Sequence, residues 1–149
     1  MNVLLSNIDN YLIKVVETES YLKALLEKDK MYKYILNIDN LDTWKKNIND
    51  IWIVAYKYKQ PYGLLLLREF SGDIMTYHGG IYKESRGIDS PMIVKSILNQ
   101  IKKLIPDYTL MTTIPRSNRL AIRLVRLMGM KEKALLNTKN NNYILFSEN

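Results

Sequence analysis

The chain has 149 residues, 47% of them hydrophobic, with no cysteine, one histidine and a net charge of +7. That length suits one domain with its own core, while the missing cysteines exclude disulfides, a thiolate nucleophile and Cys-ligated zinc, and the lone His78 argues against a protein-only metal site or a Ser-His-Asp triad. No apolar run approaches the ~20 residues that cross a bilayer and the first residues do not read as a signal peptide, so a soluble, cytoplasmic protein without membrane contact is expected.

The first elements read as helical. Within residues 20–36, Tyr21, Leu22, Leu25, Leu26, Tyr32, Ile35 and Leu36 recur at a helical period, with Glu17 and Glu19 near the start. Asp42 stands where it would cap a second short helix over TWKKNIND (43–50). Two helices are thus expected before the main sheet, with at most a short strand within residues 3–13.

The period then changes. IWIVAYKY (51–58) is β-branched and aromatic, KQPYG (59–63) supplies turn chemistry, LLLLREF (64–70) is apolar on both faces, and DIMTYHGGIYK (73–83) is a third strand. This is the pattern of an antiparallel meander. Gly79 and Gly80 fall inside its third strand, where paired glycines mark either tight packing against a helix or a close ligand contact.

After the loop KESRGIDS (83–90), Ser90 as N-cap and Pro91 at the first helical position open a helix. Ile93, Val94, Ile97, Leu98, Ile101 and Leu104 form its apolar face. YTLMTTI (108–114) is the next strand, and a strand–helix–strand order of this length implies parallel pairing through a right-handed crossover. A helix within PRSNRLAIRLVRLMGMKE (115–132) follows, stopped near Gly129. ALLNTK and NNYILFS close the chain as a hairpin across the polar turn 139–142.

The charge is unevenly placed: residues 1–94 hold 12 basic and 12 acidic side chains, residues 95–133 hold 9 and 2, and the remainder one of each. At ~100° per residue, Arg116, Arg119, Arg123 and Arg126 fall within about 80° of arc, while Leu120, Ala121, Leu124, Val125, Leu127 and Met128 cover much of the rest. Such a ridge suits a polyanion, and a plain solvated face fits it as well. The loop before Ser90 is a second candidate anion site, because a helix N-terminus offers free N–H groups and Arg86 adds a charged fork.

Two stretches carry a resemblance. IYKESRGIDSP (81–91) is similar to the R-G-x-G-x-G loop, and NRLAIRLVRLMGM (118–130) to the N-x-x-A…G-F helix, of the GNAT superfamily of acyl-coenzyme A N-acyltransferases. With the element order, the resemblance covers residues 15–147. It implies an α/β (α+β) fold: a mixed, mostly antiparallel central sheet flanked by helices, splayed between the third meander strand and the next strand. It also implies acetyl-CoA as cofactor, with Ile81 and Tyr82 beside the pantetheine arm, Arg86, Gly87, Ile88, Asp89 and Ser90 around the pyrophosphate, and Asn118 near the thioester. The acceptor would be an amine on a small molecule or a protein.

The departures are equally specific. Asp89 and Pro91 replace two later loop glycines, adding a negative charge and removing a donor, and Val125 stands where many members have a tyrosine acid. His78 is the leading substitute base, with Tyr82 as a second catalytic candidate and Tyr77 and Glu84 behind them. Two alternatives accompany the enzyme reading. One is an inactive GNAT-like structural or assembly protein, similar to those encoded by tailed phages and then housed within a phage particle. The other is a basic nucleic-acid-binding module acting through the arginine ridge.

Overall fold

The computed structural model describes the backbone of residues 2–8 and both backbone and side chains of residues 11–149. The chain forms two compact units. The first comprises residues 1–68 and 78–86, the second residues 69–77 and 87–149.

In the first unit, β1 (Asn2–Ile8) and β2 (Tyr11–Val16) pair antiparallel, and β2 pairs with β3 (Ile51–Lys57), which pairs with β4 (Gln60–Ser71). The sequence thus carries a two-stranded start rather than one short strand, with residues 9 and 10 outside the described residues. Its alternation is legible afterwards, since Tyr11, Ile13 and Val16 are buried.

The helical stretch that follows is broken. α1 (Glu19–Glu27) ends where Asp29 and Lys30 take left-handed backbone, φ 55 and 54, before α2 (Met31–Ile35). Left-handed geometry costs a non-glycine residue roughly 1–2 kcal/mol. Here it aims the Asp29 carboxylate at the Lys83 N–H, which donates to it at 2.8 Å. Leu22, Leu25 and Leu26 of α1 and Met31, Tyr32 and Ile35 of α2 pack with Trp52, Val54, Leu64 and Leu66 as one core. Removing one such buried leucine side chain costs ~2–5 kcal/mol.

No helix forms over 43–50, against the sequence expectation. Asn side chains there satisfy the backbone locally: Asp42 N–H donates to Asn40 Oδ1 and Asn49 N–H to Asn47 Oδ1, while Lys46 N–H donates to Glu19 Oε1 at 2.7 Å. Such local bonds offer the chain an alternative to the helical ladder. The first hairpin also turns earlier than KQPYG suggests. Tyr58 and Lys59, φ 49 and 67, make a two-residue turn, and Pro61 enters β4 at a register shift opposite Ala55 and Tyr56.

β5 (Ile74–Ile81) begins in the second unit and ends in the first. In the second unit it pairs in parallel with β6 (Thr109–Pro115) after the crossover helix α3 (Ser90–Leu104), as the sequence order implies. The register runs Ile74↔Thr109, Met75↔Leu110, Thr76↔Met111 and stops. There Thr112 Oγ1 donates to the Tyr77 carbonyl at 2.6 Å, a side chain taking a ladder position. β6 continues against β8 (Asn142–Ser147), which pairs with β7 (Lys131–Asn137) as the expected terminal hairpin. The described strands therefore follow the order β1-β2-β3-β4-β5 and β5-β6-β8-β7, a mixed, mostly antiparallel arrangement that does not close.

α4 (Arg119–Leu127) packs Ile122 and Val125 against Ile114, Ile144 and Phe146. Its buried residues differ from the sequence reading. Ile122 faces inward while Leu120 and Leu127 are 72% and 61% exposed, and Leu104 at the end of α3 is 59% exposed. At ~100° per residue Leu120 and Leu127 lie on the side of α4 opposite Ile122 and Val125.

Candidate functional site

The stretch from the end of β5 to the start of α3 is held at both ends by its own units. In the first unit, residues 83–85 form a single 3-10 turn fixed by Asp29 on Lys83 N–H and by a Lys28–Glu84 ion pair. Tyr82 is fully buried and its hydroxyl donates to the Leu25 carbonyl at 2.7 Å. Burial first, then the neighbouring Tyr21 and Asp29, pushes its pKa up, so the phenol stays protonated and engaged. Tyr82 N–H donates to the Tyr62 carbonyl, and Arg86 Nε folds back to the Ile81 carbonyl at 3.2 Å. Ile81, Tyr82 and Arg86 are thus brought together by the strand end.

In the second unit, Gly87, Asp89 and Ser90 come together at the head of α3. Gly87 N–H donates to Ser90 Oγ at 3.0 Å, and Ser90 N–H donates to the Gly87 carbonyl. Asp89, not Ser90, is the N-cap residue, and its carboxylate makes no capping bond. That carboxylate lies beside Gly87 instead, where any Cβ would meet Asp89 Oδ1 at 3.0 Å. Pro91 occupies the first turn. Among the described residues the N–H groups of Ile88, Asp89 and Met92 have no acceptor, and Ile88 is fully exposed. The dipole of this 15-residue helix and the three free amides favour negative charge at its head, and the Asp89 carboxylate beside them opposes it.

His78 sits half-buried on β5 in the first unit. Burial, and then the charge of Arg68, holds its imidazole below the usual histidine pKa, so it is neutral and can accept a proton at pH 7. Arg68 is itself fixed by Asp50, 6% exposed, through Nε to Oδ1 at 2.9 Å and Nη2 to Oδ2 at 2.7 Å. This fork-to-fork pair is a feature that sequence reading missed. The signal was an aspartate directly before a strand and an arginine interrupting an apolar one.

Gly79 and Gly80 have a packing reason. A Cβ on Gly79 would lie 2.8 Å from the Leu64 carbonyl oxygen, and one on Gly80 would lie 2.7 Å from Met31 Sδ. Both glycines let β5 approach β4 and α2 closely.

On α4, Asn118 is the N-cap, its side-chain oxygen accepting from Ala121 N–H at 3.2 Å. Its amide NH2 is left for another partner. Arg119, Arg123 and Arg126 share the exposed face of the helix, while Arg116 lies in the turn before it, also exposed. Arg126 pairs with Glu132 at 3.2 Å; among the described residues Arg116, Arg119 and Arg123 have no carboxylate in reach. Val125 is buried in the α4 core. No group of three or more His, Asp or Glu able to hold a metal ion is found among the described residues, nor any helix long and apolar enough to cross a membrane.

The fold has many counterparts among solved structures. A spermidine N-acetyltransferase from Vibrio cholerae in complex with CoA and spermine superposes with TM-score 0.72 at 11% identity, over 94% of this chain and 95% of that one. The chain has the GNAT fold. A ribosomal L7/L12 alpha-N-protein acetyltransferase in its apo form gives TM-score 0.73 at 10% identity over 99% and 94%. An aminoglycoside acetyltransferase in complex with coenzyme A and kanamycin gives 0.70 at 12% over 92% and 94%. No family model matches the sequence, and no curated protein does. At 10–12% identity the likeness to these structures is one of fold.

Proposed function

We propose that the protein binds acetyl-CoA and transfers the acetyl group to an amine. The observation that carries this reading is the trio of acceptor-free amides at Ile88, Asp89 and Met92 at the head of α3, in a fold whose solved counterparts include CoA complexes. In this reading Ile88, Asp89 and Ser90 face the pyrophosphate with Gly87 allowing backbone approach, and Arg86 supplies charge. Ile81 and Tyr82 contribute backbone to the pantetheine arm, and the free amide of Asn118 meets that arm. Tyr82 acts through its main chain, since its hydroxyl is committed to Leu25.

The chemistry needs a base for the ammonium of the acceptor and a proton for the departing CoA thiolate. Neutral His78 takes the proton from the amine, directly or through water, and the amine nitrogen attacks the thioester carbonyl. The thiolate leaves and is protonated by solvent. An amine acceptor is supported by the solved counterparts, among them a spermidine, an aminoglycoside and an alpha-N-protein acetyltransferase.

One observation favours a second reading, a CoA-binding protein with weak or no turnover. The position of the usual tyrosine acid holds buried Val125, which donates nothing. Loss of one such group typically costs ~10²–10⁴ in rate without removing the cofactor site.

The test is release of free thiol from acetyl-CoA in the presence of spermidine, kanamycin or an N-terminal peptide, alongside a thermal-shift titration with acetyl-CoA. Acetyl transfer to any of these, abolished in His78→Gln, supports the enzyme. A saturable thermal shift, lost in Arg86→Glu, without thiol release supports the second reading. No shift at millimolar acetyl-CoA contradicts both.

A further inference from the structure

The second unit contains a cavity that neither the α3 head nor the arginine ridge uses. It has a volume of about 200 Å³ and is lined from α3 by Lys95, Asn99 and Lys102, from β5 by Tyr77, and near the chain end by Glu148. Leu98, Leu110, Met128 and Met130 supply its apolar wall. At ~30 Å³ per water this space holds about six or seven waters' worth of ligand, smaller than the ~300–1,000 Å³ of drug-sized pockets.

Tyr77 is the anomaly. Its ring is 5% exposed and its buried hydroxyl has no hydrogen-bond partner in the protein. Buried hydroxyls are nearly always paired, and an unpaired one costs stability, so its retention in a lined cavity points to a partner from outside the chain. Burial, then the charge of Glu148, keeps this phenol protonated, which makes it a donor.

The charges of the lining select the ligand. Glu148 is taken by Lys102 at 2.9 Å, and Lys102 also donates to the Tyr108 carbonyl. Lys95 has no carboxylate in reach among the described residues, and its ammonium lies 3.9 Å from where a Cβ on Gly129 would sit, over the end of α4. Two lysines against one glutamate leave the lining with a net charge of +1.

We propose that this cavity binds a small organic monocarboxylate, its head group taking hydrogen bonds from the Tyr77 hydroxyl and the Lys95 ammonium and its apolar body lying against Leu98, Leu110, Met128 and Met130. The site is separate from the acetyl-CoA reading and does not depend on it.

Benzoate, with benzyl alcohol as its uncharged match, is the probe, and the methyl NMR signals of Met128 and Met130 are the readout. In the wild-type protein benzoate should shift both signals saturably, with benzyl alcohol at least ~10-fold weaker, since the charge-assisted bonds are lost. Tyr77→Phe and Lys95→Met should each weaken benzoate by roughly 10-fold. Without ligand, Tyr77→Phe should melt no lower than wild type, because the hydroxyl it removes has no protein partner. Absence of a saturable shift, equal affinity for the alcohol, wild-type affinity in both variants, or a lowered melting point for Tyr77→Phe would each overturn the proposal.

Discussion

In the proposed acetyltransferase reading, Asp89 and His78 are the residues whose charge bears on cofactor binding and on proton transfer. The Asp89 carboxylate lies beside Gly87 at the head of α3, where a diphosphate would add like charge. Asp89→Asn should therefore tighten CoA binding by about 1 kcal/mol, near fivefold, an effect that shrinks as salt rises. Calorimetry at two ionic strengths measures it, and unchanged affinity at low salt would place the diphosphate elsewhere. For His78 the sign follows from its depressed pKa. The folded state keeps the imidazole neutral to lower pH than the unfolded chain does, so its contribution to stability is present above ~6.5 and lost as pH falls through the folded value. Denaturation midpoints should drop on acidification in wild type and drop less in His78→Gln; parallel curves would refute the assignment. Asn118 separates structure from function in the same way. Asn118→Ala should cost about 1 kcal/mol of stability by losing the cap, whereas Asn118→Ser keeps the cap and loses only the amide. A raised KM for acetyl-CoA in the serine variant at unchanged stability is the expected result.

At the scale of elements, β5 is constrained along its whole length. Gly79 faces a backbone carbonyl that cannot move alone, and Gly80 faces a flexible methionine. Gly79→Ala should thus cost about 1–3 kcal/mol and Gly80→Ala clearly less, with Met31→Ala relieving the second but not the first. Urea denaturation of the two glycine variants, each with and without Met31→Ala, checks the order. These elements also show what the sequence made legible. The meander, the Pro91-opened helix, the parallel β5–β6 pairing and the terminal hairpin follow from local periodicity and turn chemistry, and all form. The helix over 43–50 does not, because Glu19 and Asn47 bind the Lys46 and Asn49 N–H groups that the pattern assigns to a helix. The break at Asp29 was hidden because its reason lies 54 residues away at Lys83. The Asp50–Arg68 fork left only the faint signal of an aspartate before a strand and an arginine within the next one, while the cavity around Tyr77 was invisible, since it is assembled from segments far apart in sequence. Asn118 and the loop before α3 were visible as motifs, yet the committed Tyr82 hydroxyl and the Asp89 carboxylate beside Gly87 needed coordinates.

At the scale of the whole molecule, charge and fold make separate demands. Arg119, Arg123 and Arg126 form an exposed basic face on α4 that the α3 head does not require. Reversing Arg119 and Arg123 to glutamate should lower the salt at which the protein leaves a heparin column; unchanged elution would reduce the ridge to a solvated face. Amide NMR during a coenzyme A titration tests cofactor binding at the α3 head most directly. Binding there predicts saturable shifts of the Ile88, Asp89 and Met92 N–H signals at micromolar to low-millimolar ligand. Silence at those three amides, or shifts confined to the arginines of α4, would contradict it.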